Sequence, residues 1–288
     1  MIYEMRASPL HATRAAVASA WCVLLAGVAL SFEHPLLLCV LLAAVIAAAA
    51  AACVAHRVLL ALLVALPFAV VIALINPLVV RDGLTVIARL GTVPVLGQLD
   101  ITAEASAYGG VLALRALVVI GLFALHSAAV DPDDLLRAFR RVSFRSALTA
   151  ALATRMVPVL ARDARRMHDA QRCLAGEPAP RRAVVRAVAA GALDRAVDVA
   201  ATLEVRGYGA ARRAPRGGGR PWSRHDLAFA AGAVALAAIG VAVYLGDWER
   251  FAAYPSFTAP LDAGVLALAA LICLCVLLPF ADRRGIGP

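Results

Sequence analysis

VLLALLVALPFAVVIALINPLVV, residues 58–80, is a run of 23 residues with no charged side chain. As a helix it reaches about 34 Å, enough to cross the roughly 30 Å hydrocarbon core of a bilayer. Runs of the same kind recur on both sides of it, at about 13–32, 35–55, 110–130, 225–246 and 262–281. Only helices and closed barrels satisfy their backbone in lipid, and these runs are too long for barrel strands. The sequence therefore predicts an all-α integral membrane protein with about six transmembrane helices.

Composition agrees. Of the 288 residues, 62% are hydrophobic, well above the half expected of a soluble domain. The first basic and apolar stretch resembles a signal peptide, but further spans follow closely and no small-residue cleavage site stands out, so it reads as a retained first span. All 28 basic residues are arginine and none is lysine. A Walker A loop needs its lysine on the nucleotide phosphates, so the chain is not a P-loop ATPase. Any ATP it depends on is hydrolysed by another subunit.

Charge is concentrated in one place. Residues 131–224 hold 19 of the 28 arginines against 9 acids. The expected organisation is a membrane domain over 1–130 with four spans, a cytoplasmic domain over 131–224, and two C-terminal spans within 225–288. Positive charge stays cytoplasmic. Six spans with 131–224 inside put both termini, Arg6, Arg14, Arg57, Arg283 and Arg284 inside as well. The loop 84–101 shows partial alternation broken by Gly91 and Gly97, which predicts a short extended element on the outer surface.

The cytoplasmic segment reads as two or three long amphipathic helices. Asp131 caps the first, with Pro132 at its first position and Asp133 and Asp134 in its first turn. The second runs from about Ser146 to Ala175, with Leu148, Leu152, Met156, Val159, Leu160, Met167 and Leu174 on one stripe. Pro158 is expected to kink it, and Gly176 to end it. Residues 146–161 are apolar apart from Arg155 and are expected to lie at or below the membrane surface rather than cross it. The third helix spans about Arg181 to Arg206. Its stripe is Val185, Val188, Ala192, Ala196, Val199 and Leu203, and Gly207 stops it. A basic linker then leads back to the membrane, where Trp222 anchors at the interface.

Against this background several residues stand out as candidates. Arg206, at the end of the third helix, either complements the helix dipole or offers its planar fork to a partner's carboxylate. Arg115 lies inside a span, where an unpaired charge is costly; either Glu104 pairs with it near the outer surface or both snorkel to water independently. Asn76 and Pro77 mark a local turn at the end of the third span. The six cysteines and scattered histidines form no ligand set, so no metal site and no cofactor is expected.

Several short motifs, in order, carry a resemblance. Ile75-Asn76-Pro77-Leu78 precedes Arg81-Asp82-Gly83. Ile101-Thr102-Ala103-Glu104 precedes Arg115. Arg155-Met156-Val157-Pro158 follows. Ala170-Gln171-Arg172 and Glu204-Val205-Arg206-Gly207-Tyr208-Gly209 stand about 30 residues apart. From about residue 70 to 210 the chain resembles the transmembrane T component of energy-coupling-factor (ECF) transporters, the EcfT/CbiQ family. The resemblance implies a scaffold in a bacterial plasma membrane, not an enzyme. Its partners would be two ABC-type ATPase subunits and a substrate-binding membrane (S) subunit. It also implies two coupling helices whose Ala-Arg-Gly tips dock in the ATPases. Glu204, Val205, Arg206 and Gly207 match the second tip. The first departs from the pattern: Ala175 stands where the family has arginine before Gly176, so either Arg172, beside Gln171, substitutes from a turn earlier or this tip docks mainly by packing.

Three rival functions fit less well. A secondary transporter or channel needs ionisable groups at mid-bilayer, and Arg115 is nearly alone there. A membrane enzyme needs a cluster of His, Asp, Glu or Cys at one face. A nucleic-acid binder needs aromatics interleaved with its basic residues, and the arginine helices lack them.

Overall fold

Helix formation in the apolar runs follows from the cost of leaving backbone N–H and C=O groups unpaired in lipid. The computed structural model describes residues 5–80, 84–93, 97–139, 144–173, 180–207, 221–246, 261–282 and 284. They divide into two units, Met1–Pro132 with Pro221–Pro288, and Asp133–Arg220.

The first unit is a helical bundle. A short helix α1 (Pro9–Ala12) is capped by the Ser8 hydroxyl. Two apolar helices follow, α2 (Ala15–Ser31) and α3 (Pro35–Ala51), each of 17 residues. That is the lower limit for crossing a bilayer. Longer helices come next: α4 (Ala55–Val79) with 25 residues and α5 (Ala103–Ala129) with 27. The bundle is completed by α9 (Arg224–Gly246) and α10 (Ala263–Leu277), which runs into a 3-10 turn at Leu278–Phe280. Four of these helices, α4, α5, α9 and α10 with its 3-10 extension, are long and apolar enough to span a membrane. With the two shorter ones they account for the six expected runs.

Leu59, Leu60, Leu63, Val64, Phe68, Val71 and Leu74 of α4 are all exposed. Such a face is what a helix in contact with hydrocarbon presents, and in water it would be an aggregation surface.

The bundle closes on an aromatic cluster at one end. Trp21, Phe229 and Phe280 meet edge to face at centroid distances of 5.1–6.0 Å. Arg6 donates to the Cys53 carbonyl in the α3–α4 turn (2.8 Å). That end therefore gathers the start of α2, the α3–α4 turn, the start of α9 and the last turn of α10. The opposite end carries the α2–α3 turn and a β-hairpin.

The extended structure expected over 84–101 is a β-hairpin: β1 (Val86–Val93) pairs antiparallel with β2 (Gly97–Thr102), with irregular register between Val86 and Thr92. The helix of the fourth apolar run starts at Ala103, ahead of the run expected from about 110, because the Thr102 hydroxyl accepts from the Ala105 N–H and caps it. Glu104, which breaks the apolar run in the sequence, sits in the first turn, where it complements the dipole.

Helices α4 and α5 approach closely. A Cβ on Gly109 would stand 2.6 Å from the Ala73 carbonyl oxygen, so only glycine fits there. The neighbouring Gly110 has nothing within 4 Å.

The second unit contains α6 (Pro132–Phe139, whose first residue belongs to the bundle), α7 (Phe144–Cys173) and α8 (Arg181–Val205). Leu148, Leu152, Met156, Val159, Leu160 and Met167 form the half-buried face of α7, as the periodicity predicts. On α8 the face is Val184, Val188, Ala192, Arg195, Val199 and Leu203. Val185 and Ala196, expected on it, are exposed. The face rotates slightly because Arg195 turns toward α7, where its guanidinium meets Asp163 at 3.0 Å.

Candidate functional site

A helix ending in solvent must satisfy its last carbonyls, and glycine does this at least cost because it adopts the left-handed conformation. That is how α8 ends. Arg206 is the C-cap residue, and its N–H reaches the Thr202 carbonyl at 3.2 Å. Gly207 has φ +72° and donates to the Glu204 carbonyl at 2.8 Å. An L-residue there would cost roughly 1–2 kcal/mol. The space around the Gly207 Cα is open: nothing lies within 4 Å of where a Cβ would be.

The tip is bare. Glu204, Arg206 and Gly207 are exposed, and Val205 is 90% exposed. The Arg206 guanidinium has no ion-pair partner among the described residues. A dipole-complementing arginine accounts for the charge, but not for a fully exposed valine beside it.

The other residues singled out by the resemblance are placed as follows. Gln171 is half-buried in the last turn of α7, and Arg172 lies in the same turn. Ala175 and Gly176, the expected first tip, lie outside the described residues. The Asp163–Arg195 ion pair falls ten residues before the last residue of each helix, about 15 Å along its axis. That ion pair is partly exposed and adds less than about 1 kcal/mol, so its role is register rather than stability. Arg155 lies 3.9 Å from Asp133, linking α7 to α6. Pro158 is accommodated within a continuous α7.

In the bundle Glu104 and Arg115 do not pair, and each finds other partners. The two residues are eleven positions apart on α5, about 16 Å along its axis. Glu104 is buried and accepts from the Thr85 N–H through both oxygens (3.2 Å each), fixing the hairpin to α5. Arg115 donates to the Phe32 carbonyl (2.8 Å) and lies 3.6 Å from Glu33. It caps the C-terminal end of α2, where a cation is favoured. Asn76 donates to the Ala105 carbonyl (2.8 Å), joining the end of α4 to the start of α5, with Pro77 buried beside it.

One polar joint was not anticipated. Asp226, fully buried, accepts from the Arg14 N–H (2.7 Å) and the Ser223 N–H (2.9 Å), and lies 3.4 Å from the Arg14 guanidinium. Ser223 Oγ accepts in return from the Asp226 N–H (3.1 Å). This is a reciprocal capping box, and its Ser-x-x-Asp signal precedes an apolar run in the sequence. Arg14 also lies 5.1 Å over the Trp222 ring, the residue expected at the interface. Among the described residues no three His, Cys, Asp or Glu side chains come together as a metal site.

A helical membrane bundle and a separate helical unit with an exposed Arg-Gly terminus define a multi-pass membrane protein. Residues 6–216 match the family model for CbiQ, cobalt transport protein, and the chain belongs to that family. It is thus a membrane component of a multi-subunit transporter. No curated protein matches the chain.

Proposed function

We propose that this chain is the non-catalytic transmembrane coupling subunit of an ECF-type ABC importer for a micronutrient, a cobalt or nickel ion or a vitamin. Two ABC-type ATPases hydrolyse the ATP, and a separate membrane subunit binds the substrate. The observation that carries this reading is the exposed Arg206–Gly207 terminus of α8, whose guanidinium has no ion-pair partner among the described residues. Closure of the ATPases displaces the docked helix ends, and the helices pass that motion to the bundle. Arginine placement supports a cytoplasmic position for the docking unit and for both termini.

The alternative reading, a secondary transporter or channel, is separated from this one by reconstitution. Proteoliposomes holding this chain alone are expected to take up no cobalt above empty vesicles, whatever ion gradient is imposed. Adding the ATPases, the substrate-binding subunit and ATP is expected to start uptake. Gradient-driven uptake by the lone chain would replace the coupling role with autonomous transport.

A further inference from the structure

Both chain crossings between the two units are tied to one short helix. The crossings fall at Pro132–Asp133 and Arg220–Pro221. Just after the return, Ser223 and Asp226 are bonded to Arg14 at the head of α2. Just before the exit, His126 in the last turn of α5 shares a 2.9 Å hydrogen bond with Ser19, about one turn further along α2. The far end of α2 is held as well, by Arg115 of α5 on the Phe32 carbonyl. Two polar contacts therefore fasten α2 to α5 along its length, and a third fastens it to α9.

We propose that α2 is the post through which the docking unit acts on the membrane bundle, with Arg14, Asp226, Ser19 and His126 as positioning residues. The proposal rests on the coupling role above and says where motion enters the bundle. A buried carboxylate does not let go of its donors, because an unpaired charge in an apolar setting is far costlier than a strained bond. Displacement of the chain at Trp222 is then passed to Arg14, while displacement at the exit passes through His126 to Ser19. Since α2 and α5 are fastened together, both inputs move the same rigid pair. Without these bonds the returning chain and the exit shift independently, and the bundle receives less of the stroke.

The test uses the assembled transporter, this chain with its ATPases and substrate-binding subunit, in proteoliposomes. Asp226→Asn keeps the size of the side chain and removes its charge. Ser19→Ala removes one hydroxyl and is expected to fold normally. For both, retention of the ATPases and the rate of ATP hydrolysis are expected to stay at the unsubstituted level. Uptake per ATP is expected to fall about tenfold for Asp226→Asn and about twofold for Ser19→Ala. A purely structural joint predicts lower yield or melting temperature with unchanged uptake per ATP in the transporters that assemble; that result overturns the proposal. Failure of the unsubstituted chain to hold the ATPases defeats the coupling role itself. Normal retention with unchanged uptake per ATP in both variants defeats the post alone.

Discussion

Arg206→Glu is expected to abolish co-purification of the ATPase that docks on α8 while leaving the chain folded. The side chain is exposed and lacks an ion-pair partner among the described residues, so the fold of the chain does not depend on its charge. Within the chain the cost is a reversed charge at a helix C-terminus, at most about 1 kcal/mol. At an interface the substitution sets a carboxylate against the carboxylate that arginine is proposed to meet. Losing one partner of a buried charge pair costs about 2–5 kcal/mol, so association should weaken by roughly thirtyfold or more. The expected signature is split: unchanged helicity and melting temperature in detergent, with the ATPase lost from the purified complex. Arg206→Lys should restore part of the binding, since the charge returns without the planar fork. An Arg206→Glu chain that retains full coupled ATP hydrolysis would defeat the docking assignment.

The second large effect lies in the bundle. Gly109→Leu places side-chain atoms where the Ala73 carbonyl oxygen already stands, 2.6 Å from the new Cβ. The obstacle is backbone and cannot rotate aside. Overpacking costs about 1–3 kcal/mol, and an immovable neighbour puts this site at the upper end. Separating α4 from α5 there also strains the Asn76–Ala105 hydrogen bond one turn away. Gly110→Leu is the control, because nothing lies within 4 Å of its Cβ position. The expected result is a marked loss of yield and melting temperature for the first substitution and almost none for the second. Equal behaviour would show that α4 and α5 do not pack as described.

Which parts of this architecture were legible in the sequence follows from the range of the interactions involved. Apolar runs and helical stripes are local, so the run at 58–80 and the stripe Leu148-Leu152-Met156 translated directly into α4 and the inner face of α7. The glycine stop at Gly207 is local too. Where a local signal was misread, a charge hid it: Glu104 interrupts the apolar run and concealed the true start of α5, although Thr102 was in place as a cap. The polar joints were not legible. Arg115 was matched with the nearest acid on its own helix, but its partners, Phe32 and Glu33, are more than 80 positions away in a turn that only packing brings near. Arg14 and Asp226 are 212 positions apart. Nothing in a hydropathy pattern says which spans are neighbours. On α8 the stripe was placed almost correctly, and the exchange of Val185 and Ala196 for Val184 and Arg195 depended on an acid, Asp163, on another helix.

The arrangement also explains why the two ends of the docking unit are not equivalent. The α8 end carries arginine, valine and glycine in the open. The α7 end has Ala175 in the position before Gly176, and its nearest arginine, Arg172, lies a turn earlier. Under the proposed coupling role, unequal ends imply unequal grips on the two ATPases, with the α8 contact dominant.

The central claim is that the end of α8 is gripped by an ATPase, and a photo-reactive residue in place of Val205, 90% exposed at that end, tests it most directly. Irradiation of the membrane-embedded complex is expected to join this chain to an ATPase subunit, with the yield changing between nucleotide-free and ATP-bound states. Cross-links only to lipid or to this chain's own spans, under conditions where transport is intact, would contradict it.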